Sequence, residues 1–303
     1  MKDFLLRKSS PAPSISLNMQ KKNAPVAGSS GAQGDAPKFL LTQDRQDRFH
    51  ADGALPDHLA KKHWLIKFPR GKKQSDRDIL CNEAAYFAVA RSVGLHVGQS
   101  VHFDSDALFV PRFDRQITEK GVNRLGLESL ASLSNITAFG VSVPMERLCG
   151  AIFRFSSDRV ADIREFVFRD ILNVALGNTD NHARNTAMIK YPEGNIRLAP
   201  LYDFAPMLLD DQGIPRMCRW TDAEKMGMPE WGRVSELLKD FEVDPKEIRE
   251  SFVVFAETVK RLPDVMADCN VDHWLIDRLA KRINNVQISL EQAKSVTYFY
   301  KSR

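Results

Sequence analysis

Asp180 and Asn185 lie five positions apart in "LGNTDNHARN", and Asp203 follows in "LYDF". A carboxylate, a carboxamide and a second carboxylate thus occur in a fixed order, in polar stretches of an otherwise apolar region. A turn accounts for Gly177 and Asn178. It does not account for the three oxygen-bearing side chains downstream. Phosphoryl transfer needs such a set: one carboxylate beside the attacking hydroxyl, and hard oxygen ligands that hold Mg²⁺ against the phosphates of ATP. Asp180 suits the first role, Asn185 and Asp203 the second.

The elements around these residues must bring them together. In "RVADIREFVFRDILNVAL", Val160, Ile163, Val167, Ile171 and Val174 recur at helical spacing, and Gly177 ends the helix. "TAMIKYP" and "NIRLAPLYD" read as two short strands joined through Glu193-Gly194-Asn195. That hairpin would place Asn185 beside Asp203. In protein kinases the catalytic loop carries an Asp, four residues, then an Asn, and a metal-binding Asp follows after two short strands. "DNHARN" has that spacing, and "YDF" falls where the metal-binding "DFG" would. His182 and Arg184, between the anchors, either contact a phosphate or face solvent.

An ATP-binding lysine should precede these elements on a strand. Lys67 ends the apolar "HWLIKFP", where a buried ammonium needs a partner. Glu83 is the candidate partner, on the helix "DILCNEAAYFAVARSVGL". There Leu80, Ala84, Phe87 and Arg91 share a face, and Gly94 is a C-cap. "KFLLT" and "ALFVPRFD" read as further strands, Pro111 weakening the second or placing it on an edge. "AGSSGAQGDAPK" precedes the first strand. Its glycines either let backbone N–H groups cradle phosphate or make a flexible linker. "SISLNM" reads as a short strand. "WGRVSELLKDF", "PKEIRESFVVFAETVKRL" and "DHWLIDRLAKRINNV" are helical, and the chain holds no internal repeat.

Composition bounds the rest. The 303 residues, 43% hydrophobic and 27% charged, describe a soluble globular chain with ample core. A net charge of +4 suits a phosphate-bearing ligand or an acidic partner, and is too small to indicate nucleic-acid binding. Four scattered cysteines with no CxxC argue against a disulfide framework or zinc site. No run is apolar enough to span a membrane and no secretory signal is visible, so a cytoplasmic protein is expected. The expected architecture is α+β: a two-lobed protein-kinase-like fold. Residues 1–25 would be a flexible or remnant segment, 26–125 the β-rich ATP-binding lobe and 126–303 the helical catalytic lobe.

Four stretches, "SSGAQGDAPKFLL", "HWLIKFP", "ALFVPRFDR" and "GNTDNHARN…LAPLYDF", resemble the HipA family of bacterial Ser/Thr kinase toxins. The likeness runs from about Val26 onward, and "TDNHARN" is its most specific part. The resemblance implies that Asp180 is the catalytic aspartate, that Asn185 and Asp203 hold Mg²⁺, and that Lys67 binds the ATP phosphates. It also implies a phosphate loop at Gly31, Ala32, Gln33 and Gly34, a hinge strand at Pro111, Arg112 and Phe113 that holds adenine, and an ATP-proximal loop with His182 and Arg184. As partners it implies a protein substrate, an aminoacyl-tRNA synthetase in the family, and a DNA-binding antitoxin of the HipB type. Neither a membrane nor direct nucleic-acid contact outside an antitoxin complex is expected. The chain departs from the family in several places. The family's additional N-terminal subdomain is lacking or reduced to the first two dozen residues, the phosphate loop is longer, and Pro111 stands where an acidic residue is common. Ser29 and Ser30 are the nearest counterparts of the family's autophosphorylated serine, where phosphate would switch the kinase off. Two other readings stand beside this one. A small-molecule phosphotransferase would need an acidic pocket, which the basic excess disfavours; a non-catalytic pseudokinase module is at odds with three intact core residues.

Overall fold

The computed structural model describes residues 36–138 and 140–295. The predicted strand "SISLNM" and the glycine-rich loop lie outside them. The first described elements are β1 (Lys38–Asp44), β2 (Phe49–Ala51), β3 (Ala60–Lys67), α1 (Gln74–Ser92), β4 (His102–Asp104) and β5 (Ala107–Pro111). The strands form one antiparallel sheet in the order β2-β1-β3-β5-β4. Asp44 closes the first hairpin, because its carboxylate accepts the backbone N–H groups of Gln46 and Arg48, each at 2.9 Å. Trp64 and Ile66 alternate onto the same face and pack with Ala107 and Phe109.

Two expectations change here. β5 lies inside the sheet, not on its edge, because the unforeseen β4 covers it. Pro111 is tolerated because β4 pairs only Ala107 to Phe109, so no ladder bond on that side is asked of its missing N–H. In α1, Leu80 and Phe87 are buried, but Arg91 is exposed and bonds Ser100 Oγ at 3.0 Å. Gly94 follows at φ +91°.

After the hairpin β6 (Arg115–Thr118) and β7 (Gly121–Arg124) come β8 (Gly126–Ser129), α2 (Leu130–Leu133), β9 (Val143–Pro144), α3 (Met145–Phe155) and α4 (Arg159–Leu176). Next are β10 (Ala187–Lys190), β11 (Ile196–Leu198), β12 (Cys218–Arg219), β13 (Glu224–Lys225) and β14 (Met228–Pro229). Helices α5 (Trp231–Leu237), α6 (Pro245–Lys260), α7 (Leu262–Asp268) and α8 (His273–Gln292) complete the fold. The predicted hairpin is β10–β11, with Gly194 at φ +96° in its turn; β8 joins as a third strand that periodicity did not reveal.

Helix α4 is the centre of the larger core. Its Asp158 N-cap accepts from Ala161 N–H, and Ile163, Val167 and Ile171 are fully buried. Each such side chain contributes about 1.5–3 kcal/mol. Gly177 ends the helix at φ +69°, and a Cβ there would lie 2.1 Å from Leu208 Cδ2. Only glycine meets both conditions.

The two lobes are joined through α1. Tyr86 Oη donates to Leu176 O at 2.9 Å, and its ring packs 5.4 Å from that of Phe204. The loop between β3 and α1 adds a clasp. Arg70 reaches Asp210 at 2.7 Å and Asp76 at 3.2 Å, while Lys73 meets Asp211 at 2.9 Å. The result is a two-lobed, mixed α and β fold of the protein-kinase-like type.

Candidate active site

The cleft between the lobes is built from the ends of β3, α1, α4 and the β10–β11 hairpin. Lys67, the last residue of β3, is only 7% exposed. Its Nζ lies 2.6 Å from Glu83 Oε1, on the inner face of α1, and also contacts Asp203 Oδ1. Burial opposes the Lys67 ammonium, but the Asp203 and Glu83 carboxylates more than offset this and raise its pKa above the ordinary lysine value. Glu83 is pushed up by burial, against the pull of Lys67. Asp203 is held below the ordinary carboxylate value, because Lys67 outweighs the burial that would raise it.

Asp203 sits at φ +53°, left-handed backbone that Asp tolerates better than most residues. The next residue, Phe204, is buried against Tyr86, so the turn aims the Asp203 carboxylate back at Lys67.

On the facing loop, Asn185 Nδ2 donates to Asp180 O at 2.8 Å, and Asn185 N–H donates to His182 O at 2.9 Å. These bonds close the loop on itself and leave Asn185 Oδ1 as the amide's oxygen donor. Burial raises the Asp180 carboxyl above its usual value; His182, with Nε2 3.6 Å away, counters this, and Asp203 reinforces it. Asp180, His182, Asn185, Tyr202 and Asp203 line one cleft. Among the described residues no three His, Cys, Asp or Glu side chains converge as a metal site. An Mg²⁺ shared between one carboxylate, one amide oxygen and phosphate oxygens needs only two protein ligands, and Asp203 and Asn185 have the right chemistry.

The other predicted residues fall in three groups. Gly31, Ala32, Gln33, Gly34, Ser29 and Ser30 lie outside the described residues. Pro111, Arg112 and Phe113 follow one another at the end of β5. The Arg112 guanidinium is committed to Asp114 at 2.7 Å and Asp52 at 2.9 Å, and the Phe113 ring packs 5.9 Å from that of Tyr202. Both side chains brace the connection between the lobes. Arg184 reaches Thr137 O at 3.4 Å, and its own carbonyl accepts from Tyr202 Oη at 2.8 Å.

Sequence reasoning missed three contributors. Lys38 is paired with Lys67 in the β1–β3 register, which puts both lysines on one face of the sheet. Its charge also helps keep Asp203 ionised. Arg169 and Asp170 are buried neighbours on α4 that hold different walls. Arg169 donates to Ala199 O at 2.9 Å and His96 O at 3.2 Å, fixing the segment that leads to Asp203. Asp170 takes two bonds from Arg216, at 2.9 and 2.7 Å, and one from Trp220 Nε1 at 2.9 Å. Adjacent opposite charges set between the apolar Val167-Phe168 and Ile171-Leu172 of α4 were the available signal.

Comparison with known proteins bears on the fold and the family. Against solved structures, the chain is similar to HipA of Shewanella oneidensis MR-1, seen in a complex with HipB and its operator DNA. The TM-score is 0.56 at 17% identity, covering 86% of this chain and 63% of that one. It also aligns with the Helicobacter pylori proinflammatory kinase CtkA, with TM-score 0.49, 14% identity, and 91% and 96% of the two chains. A putative kinase of Haemophilus influenzae is 27% identical over 136 residues, which span 41% of this chain and 40% of that protein. The chain therefore spans less than two thirds of the length of both HipA and the Haemophilus protein. The profile of the HipA-like C-terminal domain matches residues 29–265, and the chain belongs to that family.

Proposed function

We propose that the chain is an ATP- and Mg²⁺-dependent serine/threonine protein kinase and the toxin of a toxin–antitoxin pair. One observation carries the reading: Lys67, paired with Glu83, meets Asp203 in the cleft that Asp180 and Asn185 also line. The Lys67 ammonium, anchored by two carboxylates, is fixed where phosphate oxygens would lie, and Lys38 adds a second positive charge on the same face. Asp203 and Asn185 would hold Mg²⁺, which supplies charge neutralisation on the phosphates. Asp180 is the carboxylate for the incoming hydroxyl, and its raised pKa makes it a better proton acceptor than an ordinary aspartate. The lobe held by residues 26–125 would seat the nucleotide, with Gly31, Ala32, Gln33 and Gly34 over its phosphates and the backbone of Pro111 to Phe113 beside adenine. Residues 126–303 would carry the acceptor side.

Family membership supports the toxin role, and the relative solved with HipB supports an antitoxin of that type as partner. An aminoacyl-tRNA synthetase remains the proposed substrate by family likeness, and phosphorylation of Ser29 or Ser30 the proposed off-switch. The test is phosphoproteomics after brief induction of the wild-type chain and of Asp180→Asn. New phosphoserine or phosphothreonine on a protein, found only with wild type, supports the reading; identical phosphoproteomes refute it. Intact-mass measurement of the two proteins reports on Ser29 and Ser30 in the same samples.

A further inference from the structure

Asn82 precedes Glu83 on α1 and is only 1% exposed. A buried amide must place its donors and its acceptor. The Asn82 Nδ2 donates to Asp78 O, one turn back in the helix, and to Asp272 Oδ2, each at 2.9 Å. Its Oδ1 accepts from Asp272 N–H at 3.2 Å. Asp272 lies 190 residues further on, at the start of α8. A two-way pair of bonds therefore ties the helix that carries Glu83 to a helix of the other lobe.

Asp272 gives up a local role to make this tie. It occupies the N-cap position of α8, where Asp ranks among the preferred capping residues, yet its carboxylate makes no capping bond to its own helix. It bonds Asn82 instead. The apolar side of α1 joins the same lobe. Tyr86, Phe87 and Val89 belong to the core that contains Met266 of α7 and Leu275 of α8, whereas Trp64 and Phe109 of the sheet belong to a separate cluster. In protein kinases the lysine–glutamate pair is controlled by the position of the helix that carries the glutamate. Here that helix is bonded into the helical lobe, and β3 brings Lys67 to it.

We propose that Asn82 is a positioning residue for phosphoryl transfer: its bonds to Asp272 hold α1 in register with the helical lobe, so that Glu83 and Asp203 fix the Lys67 ammonium at one point. This rests on the phosphotransfer reading above. Asn82 acts only through Glu83 and touches neither nucleotide nor metal. Glu83 Oε1 lies 2.6 Å from Lys67 Nζ. A shift of α1 by about 1 Å takes that contact beyond hydrogen-bond length, and errors of this size cost on the order of 10²-fold in rate.

The test uses the full chain and two readouts. One is hydrolysis of Mg-ATP. The other is the rate at which acetic anhydride acetylates Lys67 without nucleotide, read by peptide mass spectrometry. Asn82→Ala removes the tie, and Asn82→Asp sets two carboxylates face to face. Adding Asp272→Asn to Asn82→Asp restores the tie with donor and acceptor exchanged. Lys67 keeps Asp203, so each single variant should lose about tenfold in kcat rather than the full amount. Lys67 should be acetylated several-fold faster in both, and the exchanged pair should return both readouts to near wild type. With Glu83→Gln already present, Asn82→Ala should cost less than about twofold more, because its route to Lys67 is cut. A merely structural role predicts the full loss again in that background. Three outcomes overturn the proposal: wild-type kcat and Lys67 reactivity in Asn82→Ala, an exchanged pair that folds but stays as slow as the single variants, or additive losses with Glu83→Gln. If Asn82→Asp does not fold, Asn82→Ala and the exchanged pair decide. Wild type that hydrolyses no Mg-ATP while Lys67 stays shielded removes the phosphotransfer reading, and the role of Asn82 with it.

Discussion

Gly177→Ala tests how tightly the end of α4 is tied to the site. Gly177 sits at φ +69°, three residues before Asp180. An added Cβ would lie 2.1 Å from Leu208 Cδ2 and 3.2 Å from Leu208 Cβ and Cγ. Left-handed backbone costs an L-residue about 1–2 kcal/mol. The collision adds about 1–3 kcal/mol, as overpacking does elsewhere. Leu208 has little room to retreat, because its N–H donates to Gly177 O at 2.9 Å. The sum is about 2–5 kcal/mol, and at ~2 °C per kcal/mol for a chain of this size the Tm falls by about 4–10 °C. Gly194→Ala is the control: φ is +96° and nothing lies within 4 Å, so only the backbone cost applies. Differential scanning calorimetry at neutral pH compares the two. Adding Leu208→Ala to Gly177→Ala should cost less than Leu208→Ala alone, since the clash is gone. The reasoning is refuted if Gly177→Ala melts with Gly194→Ala, or if the Leu208 change shows no coupling.

Further outcomes follow from the site. Asp180→Asn should lower phosphate transfer by about 10²–10⁴-fold with circular dichroism unchanged; wild-type turnover would remove Asp180 from the reaction. Its stability should depend on pH in a defined sense. A carboxyl with a raised folded pKa binds more protons folded than unfolded, so its cost is absent below the ordinary aspartate value and grows as pH rises through the folded one. Asp180→Asn should thus gain on wild type as pH increases toward neutral, and melting curves across pH 4–8, a range of roughly the carboxylate region upward, check the sign. Asp203→Ala and Asn185→Ala should weaken Mg²⁺-dependent ATP binding in calorimetric titration; unchanged affinity in both would show that neither is a ligand. Glu83→Gln breaks a buried ion pair, a change that costs about 3–5 kcal/mol when one charge is left unpaired. Because Lys67 keeps Asp203, the loss should fall below that range, which chemical denaturation can measure.

The parts legible in the sequence were those with local periodicity. Helix α4 spans Arg159–Leu176 as its apolar spacing required, because its cap residues, Asp158 and Gly177, are strong ones. The β10–β11 hairpin was legible for the same reason, its turn being written as Glu193-Gly194-Asn195. What depends on pairing was not. Lys38 looks like any lysine opening a strand until the β1–β3 register sets it opposite Lys67. β4 is three residues long and carries little pattern, so nothing local shows the cover it gives β5, and Pro111 reads either as weakening the strand or as marking an edge. Arg70 and Asp210 lie far apart in the chain, and nothing local marks them as partners. Asn181 carries no local signal, because an amide in a polar loop has many uses and its partner, Cys218, belongs to a two-residue strand.

The clasp between the β3–α1 loop and the segment after Asp203 bears on how quickly the cleft can exchange its contents. Its two ion pairs differ in shelter: the Asp210 side chain is 1% exposed, whereas Lys73 and Asp211 are 68% and 49% exposed. Salt screens the outer pair and barely reaches the inner one. Parting the clasp would therefore have a step that ionic strength eases and a step that it does not. If the cleft holds a nucleotide as proposed, added salt should shorten its dwell time only until the Arg70–Asp210 pair alone sets it, beyond which release should become indifferent to the medium.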